Sequence, residues 1–279
     1  NVASYLQRWN IEKKHVGIYF NNEPEFIFTF FGVLMSGNVA VPIPFSSKKK
    51  EIDHLIKSCD VEIVICHHLD LHLFENSTVV DYRAIQVSDD GNAYGRIVPN
   101  LNADARDLAI LLTTSGSTRE PKVVMLSHEN IVFNAIAHAK PLHLNERDSF
   151  FISMPCHFSS TITTQLLACI YSKTRIYLRP LPLLPKVVAS ILAKENITSL
   201  AAVPTFLNMF MAYLSDHPRA FPDLKLIVAS GAPLYQHQIN KLIDYFPYAQ
   251  VIQTYGLTEA SPRVSMMKRG ETKTSCGKT

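Results

Sequence analysis

The stretch "LLTTSGSTREPKVVMLSHENI", from Leu111 to Ile131, joins a strand-like run to a helix-like segment through small hydroxyl residues. The chain enters it through "DLAILL", a continuous apolar run that is typical of a buried strand. It leaves through "HENIVFNAIAHAK", which we interpret as a helix. A strand, a polar loop and a helix in this order form the unit from which α/β folds with parallel sheets are built.

Strands and helices continue to alternate on both sides of this stretch. Upstream, "HVGIYF", "NVAVPIP" and "VEIVIC" are typical of strands, whereas "EPEFIFTFFGVLMSG" and "KKEIDHLIKSCD" are typical of helices. Downstream, "LHLNERDSF" indicates a linker, after which the alternation restarts and continues to "QVIQTYG". We therefore predict an α/β fold of two α/β subdomains with mainly parallel sheets, covering residues 1–145 and 146–279.

The composition indicates a globular protein and argues against some partners. Of the 279 residues, 47% are hydrophobic and 18% are charged, which fits a chain with a sizeable core. The net charge is +3 and the longest basic block is Lys48–Lys50, so we expect no nucleic-acid partner. The most apolar run, residues 26–44, is interrupted by glycines and Asn38, so we expect no transmembrane segment.

The cysteines and the first residues bear on the cellular compartment. The five cysteines are scattered and include no C-x-x-C pair, which favours reduced thiols over disulfides or a metal site. Because no basic and apolar leader follows Asn1, we also expect no targeting segment. Both observations predict a cytoplasmic protein, and its cysteines are Cys59, Cys66, Cys156, Cys169 and Cys276.

The hydroxyl-rich loop is a candidate phosphate site. Successive backbone N–H groups in a turn of small residues form an anion-binding nest, to which the hydroxyl groups add donors. Gly116 lets the backbone approach a ligand closely, and Lys122 supplies a positive charge for phosphate oxygens. Composition alone leaves an ordinary Ser/Thr-rich surface loop as an equal alternative. The loop lacks the G-K-[ST] ending of a P-loop, so a P-loop kinase or ATPase is not indicated.

The stretch "TTSGSTREPKVVMLSHENI" closely resembles the signature of the adenylate-forming enzymes. That family includes acyl- and aryl-CoA synthetases, firefly luciferase and the adenylation domains of peptide synthetases. Its loop reads T-S-G-S-T-G-x-P-K-G and wraps the β- and γ-phosphates of ATP, whereas this chain has Arg119 and Val123 where glycine is usual. The resemblance assigns the ATP phosphates to Thr114, Ser115, Gly116, Ser117, Thr118 and Lys122.

A second motif, "QTYGLTEASPRVS" at residues 253–265, resembles the Y-G-x-T-E motif of the same family. Taken alone, such a run is more typical of a strand end followed by a helix N-cap. The resemblance implies that Tyr255 packs against adenine, that Thr258 contacts the α-phosphate and that Glu259 holds Mg²⁺. These roles suit the residue types, because an aromatic face fits a base and a carboxylate fits a hard cation. Gly256 belongs to the same expected nucleotide site.

Two further segments resemble the family near the acyl substrate. "VASGAPLYQHQI" resembles the segment whose backbone borders adenine and the acyl pocket, which places Gly231, Ala232 and Pro233 there. "SMPCHFSSTITTQLLACIYS" resembles a segment with the pattern x-x-P-L-[FY]-H-x-x-G, which lines the route of the acyl group. Phe158 stands where that pattern has histidine, and His157 stands one residue earlier.

The expected substrate follows from this fourth segment. We expect the substrate pocket to include His157, Phe158 and Gly231, and a partly buried loop histidine is the alternative for His157. Peptide-synthetase domains place an aspartate in this neighbourhood to pair with an amino group, but "FFISMPCHFSSTI" contains no acidic residue. A fatty or aryl acid is therefore favoured over an amino acid.

The resemblance implies that the chain is a fragment of an enzyme that joins a small carboxylic acid to ATP and forms acyl-AMP. The acyl group then passes to the thiol of CoA, or to phosphopantetheine on an acyl carrier protein. The expected catalytic residues are Lys122, Thr258 and Glu259, with Mg²⁺ as a cofactor. The family's β-barrel and its C-terminal lid, which carries a catalytic lysine, are lacking from these 279 residues. We therefore expect the chain to be weakly active or inactive alone.

A catalytically inactive nucleotide-binding or scaffolding remnant of the family is the alternative function. Four departures from the family pattern favour it, at Arg119, Val123, Phe158 and Thr161, the last of which stands for a glycine. The intact pair of Thr258 and Glu259 favours an enzyme instead.

Overall fold

Two compact units make up the chain in a computed structural model, Asn1–Asn130 and Ile131–Thr279. The structure describes residues 1–75, 77–87, 106–114, 122–267 and 276. Each unit contains its own six-stranded sheet, and both sheets are mainly parallel. The predicted α/β fold class is thus confirmed, and neither sheet closes into a barrel within the described ranges. The division expected near residue 145 stays a prediction.

The first sheet has the strand order β4-β3-β1-β2-β5-β6, and only the β5–β6 pair is antiparallel among its described pairs. Its strands are β1 (His15–Tyr19), β2 (Val39–Pro42), β3 (Ile63–Cys66), β4 (Thr78–Asp81), β5 (Leu108–Thr114) and β6 (Lys122–Ser127). The helices around it are α1 (Val2–Arg8), α2 (Pro24–Met35), α3 (Lys49–Ser58), a 3-10 helix (His68–Phe74) and α4 (Tyr82–Val87). Helix α5 (His128–Leu142) follows β6.

Strand β6 was not expected from the sequence, because its consecutive apolar residues conceal the two-residue alternation of a strand. The structure shows that Val124 and Leu126 are buried while Met125 is exposed. Pairing with β5 sets Thr114 opposite Lys122 and Thr113 opposite Val123. The chain therefore leaves β5 and returns beside it, which brings the two ends of the hydroxyl-rich loop together.

The second sheet has the strand order β12-β11-β10-β9-β7-β8, and only β11–β12 is antiparallel among its described pairs. Its strands are β7 (Ser149–Ile152), β8 (Arg175–Leu178), β9 (Ser199–Ala202), β10 (Leu226–Ala229), β11 (Gln250–Gly256) and β12 (Arg263–Met266). Between them lie a π-helix (Thr161–Leu167), α6 (Ala168–Tyr171), α7 (Pro185–Lys194), α8 (Pro204–Asp216), α9 (Gln236–Tyr245) and a 3-10 helix (Thr258–Ala260).

Proline sets the start of three helices, α2, α7 and α8. A proline in the first turn has no N–H to lose there, and it forces the preceding residue out of the helical region. Val203 accordingly has an extended backbone, with φ −81° and ψ 150°, between the end of β9 and Pro204. Such short strand-to-helix transitions leave the loops that carry function at the carboxyl edge of a parallel sheet.

The core of the second unit fills the space between this sheet and its helices. Phe210 lies at its centre, with its ring centroid 5.7 Å from that of Phe246 and 6.0 Å from that of Phe221. Strands β7, β9 and β10 are buried along their whole length, as expected for a parallel sheet that is covered on both faces. Within the described part of the chain, no helix is both long and apolar enough to cross a bilayer.

Candidate functional site

The carboxyl edge of the second sheet brings together three of the segments that the sequence singled out. Residues 154–159 follow β7, residues 230–233 follow β10, and residues 255–259 include the end of β11. The hydroxyl of Ser230 contacts the sulfur of Met154 at 4.0 Å, and the hydroxyl of Thr254 donates a 3.0 Å hydrogen bond to the carbonyl of Ala229. The first contact joins two of the segments, and the second joins the strands β10 and β11 that lead into residues 230–233 and 255–259, all within one unit.

Gly256 shapes the turn that carries the Y-G-x-T-E motif. The pairing of β11 with β12 shifts register between Tyr255 and Gly256, which indicates a β-bulge. A Cβ atom at Gly256 would overlap the carbonyl oxygen of Pro262, and that oxygen accepts a 2.8 Å hydrogen bond from the N–H of Leu257. Only glycine fits this close approach. The turn leaves the Tyr255 side chain 47% exposed, so its ring is available to a ligand.

Thr258 and Glu259 begin a single turn of 3-10 helix and differ in their surroundings. The Thr258 hydroxyl is half-buried and lies 3.0 Å from the hydroxyl of Ser159. The Glu259 carboxylate is exposed. Mg²⁺ usually takes one or two protein carboxylates together with water and phosphate oxygens, so a lone carboxylate suits it. Among the residues that the structure describes, no cluster of three or more His, Cys, Asp or Glu could enclose a metal ion.

Asn134, on α5, holds the strand that returns from the motif. Its side-chain amide donates to the carbonyl of Arg263 at 2.9 Å, and its side-chain oxygen accepts from the N–H of Arg263 at 3.0 Å. The residue is only 6% exposed, so both bonds are shielded from water. Asn134 was not among the residues expected from the sequence to form the site. One signal was present, because Asn134 lies three residues after the buried Ile131, on the apolar face of the helix, where an amide needs partners.

His157 and Phe158 form an aromatic pair at the end of β7. Their ring centroids are 4.7 Å apart with an interplanar angle of 85°. Burial lowers the pKa of His157 to about 4, so its imidazole is neutral at pH 7. Phe158, in contrast, is 43% exposed. This segment therefore offers an apolar ring and a neutral histidine, and the expected pocket role of both residues stays a prediction.

The segment after β10 exposes mainly backbone groups to the surface. Gly231 has φ +87°, in the left-handed region that favours glycine, and Ala232 and Pro233 are exposed. Ser230 is buried and its N–H donates to the carbonyl of Ala202 at 3.2 Å, which fixes the start of the turn. Such a turn can border a flat ligand with peptide groups.

The hydroxyl-rich loop belongs to the first unit. Thr114 is half-buried and Lys122 is exposed, and the two residues face each other across the β5–β6 pair. Val123 is partly buried and packs against the core of this unit, which includes Val41, Val64 and Leu111. The other candidates of the loop lie outside the described residues: Ser115, Gly116, Ser117, Thr118 and Arg119.

The similarity to known proteins extends over the whole chain, and two curated relatives illustrate it. A family described as "AMP-binding enzyme" matches residues 1–279. Indigoidine synthase of Dickeya dadantii (strain 3937) is 25% identical over an alignment of 275 residues, and the alignment covers 93% of this chain and 18% of that protein. Feruloyl-CoA synthase of an Amycolatopsis species is 24% identical over 249 residues, or 89% of this chain and 50% of that protein. The chain thus spans half or less of these two relatives.

A solved structure supports the fold. A long-chain-fatty-acid-CoA ligase, FadD1 from Archaeoglobus fulgidus, matches with a TM-score of 0.88 and 21% identity. The match covers 99% of this chain and 59% of that structure. Because the identity is low, this similarity supports the architecture alone. The match to the family, in contrast, extends from the first residue of the chain to the last. The chain belongs to the family of AMP-binding enzymes, as its two quoted motifs predicted.

Proposed function

We propose that this chain is the nucleotide-binding part of an enzyme that activates a carboxylic acid with ATP. The observation that carries the proposal is the Y-G-x-T-E turn, where a bulge at Gly256 leaves Tyr255 exposed while the Thr258 hydroxyl is held by Ser159. In the reaction, a carboxylate oxygen of the acid attacks the α-phosphorus of ATP. The bond to the bridging oxygen breaks, and acyl-AMP and pyrophosphate result.

In this proposal each motif residue has the role that the resemblance to the family implies. The exposed ring of Tyr255 packs against adenine, and the Thr258 hydroxyl donates to an α-phosphate oxygen. Glu259 would hold Mg²⁺, which neutralises charge on the phosphates when bound. Lys122 and Thr114, with residues 115–118, hold the β- and γ-phosphates and stabilise the charge of the leaving pyrophosphate.

The proposed substrate is a fatty or aryl acid. The segment after β7 contains no carboxylate that could pair with a substrate amino group, and it exposes the ring of Phe158 beside the neutral His157. Among the relatives, feruloyl-CoA synthase is named for an aryl acid and FadD1 for long-chain fatty acids. The acyl acceptor is the thiol of CoA or of phosphopantetheine on a carrier protein.

The proposed compartment is the cytoplasm, since the described cysteines form no disulfide. Burial also raises the pKa of the Cys59 thiol to about 11 and that of Cys66 to about 12, so these thiols stay protonated and unreactive at neutral pH.

Titration of this chain with ATP, with and without Mg²⁺, tests the nucleotide site. We expect weak ATP binding that Mg²⁺ strengthens, because the cation screens phosphate charge against Glu259. Glu259→Gln should remove the Mg²⁺ dependence, and Thr258→Ala should weaken ATP without changing adenosine binding. Glu146→Gln, at another exposed glutamate, is the matched control and should change nothing. If ATP bound equally well with and without Mg²⁺, and if Glu259→Gln and Thr258→Ala left that binding unchanged, the proposed site would be contradicted.

An inactive nucleotide-binding remnant is the second candidate function. The observation in its favour is the substitution of two family glycines by Arg119 and Val123. This candidate predicts the same titration result but no formation of acyl-AMP, so it is separated from the enzyme by a catalytic measurement.

A further inference from the structure

One contact among the described residues has no role so far, and it joins the motif to a serine that lies far away in sequence. Ser159 Oγ and Thr258 Oγ1 are 3.0 Å apart, and the two residues are separated by 99 positions. Ser159 lies in the segment that leads from β7 into the π-helix, whereas Thr258 follows β11. Ser159 is only 9% exposed and Thr258 is half-buried, so the serine end of this hydrogen bond is shielded from water.

Hydrogen bonds to neighbouring residues fix the backbone around Ser159. The carbonyl of Ser159 accepts a 2.9 Å hydrogen bond from the hydroxyl of Thr163, one turn later in the π-helix. The N–H of Phe158 donates to the carbonyl of Pro155 at 3.1 Å, and the N–H of Ile162 donates to the carbonyl of Phe158 at 3.0 Å. π-helical turns are frequent at functional sites. These bonds fix the backbone from which the serine hydroxyl reaches Thr258.

Hydrogen-bond chemistry gives this contact a direction. A hydroxyl has one proton to donate and two lone pairs that accept. If the proton of Thr258 points to an anionic phosphate oxygen, the 3.0 Å contact can be satisfied only by donation from Ser159 to Thr258. The resulting chain runs from Ser159 through Thr258 to the phosphate, and each bond polarises the next.

We propose that Ser159 is a positioning residue, whose hydroxyl orients the hydroxyl of Thr258 toward the α-phosphate of ATP. This inference rests on the proposed function, because it takes the role of Thr258 from there. Ser159 itself does not touch the nucleotide. Its contribution is to fix the rotamer of Thr258 and to increase the strength of the hydrogen bond that Thr258 donates.

A double-mutant cycle on this chain tests the inference, with ATP and adenosine as the two probes. We expect Ser159→Ala to weaken ATP binding about three- to tenfold, the loss typical of one neutral hydrogen bond, and to leave adenosine binding unchanged. Ser159→Thr should restore ATP binding. In the Thr258→Ala background, Ser159→Ala should have no further effect, since the residue through which it acts is gone. Ser159→Cys, nearly the same size and a weaker donor, repeats the test if Ser159→Ala does not fold.

The outcomes separate the inference from the proposed function. If Thr258→Ala leaves ATP binding intact, or if the wild-type chain binds no ATP, the proposed function is contradicted and the inference with it. If Thr258→Ala weakens ATP binding but Ser159→Ala does not, the inference alone is wrong. It is also wrong if the two substitutions act additively, or if Ser159→Ala weakens ATP and adenosine equally, as a general loss of structure would.

Discussion

Gly256 and Thr258 meet different structural requirements within the same five-residue motif. Gly256 is required by backbone geometry, because a side chain there would overlap Pro262 and prevent the turn. Thr258 is placed by that turn against Ser159, where its hydroxyl is available for chemistry. A motif that looks uniform in sequence thus combines one steric requirement with one hydrogen-bonding requirement.

The motif residues can be recognised from the sequence, whereas the residues that contact them cannot. Tyr255, Thr258 and Glu259 are recognisable because their spacing within the chain is short and fixed. Ser159 and Asn134 contact the same turn from positions 99 and 129 residues away, as their bonds to Thr258 and Arg263 show. Contacts over such separations depend on the order of the strands, which no local pattern contains.

Burial of His157 makes the stability of the fold depend on pH. Its pKa is about 4 in the folded state and near 6.5 when unfolded, so below pH 6.5 the unfolded chain binds more protons. The stability present at pH 7 should therefore decline as pH falls from 6.5 to 4, by at most about 1.4 kcal/mol per pH unit for this group. Denaturant unfolding of His157→Gln should show a shallower decline.

Two histidines help to interpret that measurement. Burial, together with the nearby Arg263, also lowers the pKa of His138, so some acid sensitivity should persist in the His157→Gln variant. His237→Gln, at an exposed position, is the matched control for the loss of a histidine side chain. An unchanged profile in His157→Gln would show that His157 does not titrate as its burial requires.

At the scale of elements, the β5–β6 hairpin explains one departure from the family pattern. Val123 stands where the family usually has glycine, and it packs partly buried against the core of the first unit. Val123 lies in β6 opposite Thr113, and β-branched residues such as valine are favoured in strands. The substitution contributes to the strand that carries Lys122.

We therefore expect Val123→Gly to destabilise the first unit without improving ATP binding. Lost burial and added backbone entropy should together cost roughly 1–3 kcal/mol in denaturant unfolding. Met125→Gly, in the same strand but 66% exposed, is the matched control and should lose only the smaller backbone part. If Val123→Gly instead restored strong ATP binding, alone or with Arg119→Gly, the wild-type loop would be degenerate and the remnant function favoured.

Helices and strands with a clear hydrophobic periodicity could be predicted from the sequence, whereas those without it could not. The alternation of strands and helices around both motifs was confirmed, because apolar runs and helical spacing are local signals. Strand β6 was missed because "KVVML" has no visible alternation. Nothing in "TITTQLL" indicates the π-helix Thr161–Leu167, since its wider turn depends on packing. The role of residues 115–118 stays a prediction, because they lie outside the described chain.

At the scale of the whole molecule, each unit has a mainly parallel sheet with one antiparallel edge pair, and each edge pair flanks one of the two family motifs. The β5–β6 pair sets Thr114 opposite Lys122, on either side of the hydroxyl-rich loop. The β11–β12 pair sets Gly256 opposite Arg263, on either side of Thr258 and Glu259. An antiparallel pair returns the chain next to its own strand, so the two ends of each motif segment are held side by side.

Exchange of labelled pyrophosphate into ATP distinguishes the enzyme from the remnant, and it is measured on this chain and on any longer protein that contains it. The panel is a set of fatty and aryl acids, with amino acids as the comparison. We expect exchange that depends on a fatty or aryl acid when the chain is part of a longer protein, and little exchange by the 279-residue chain alone. No exchange with any acid, from a protein that binds ATP, would contradict the enzyme and leave the nucleotide-binding remnant.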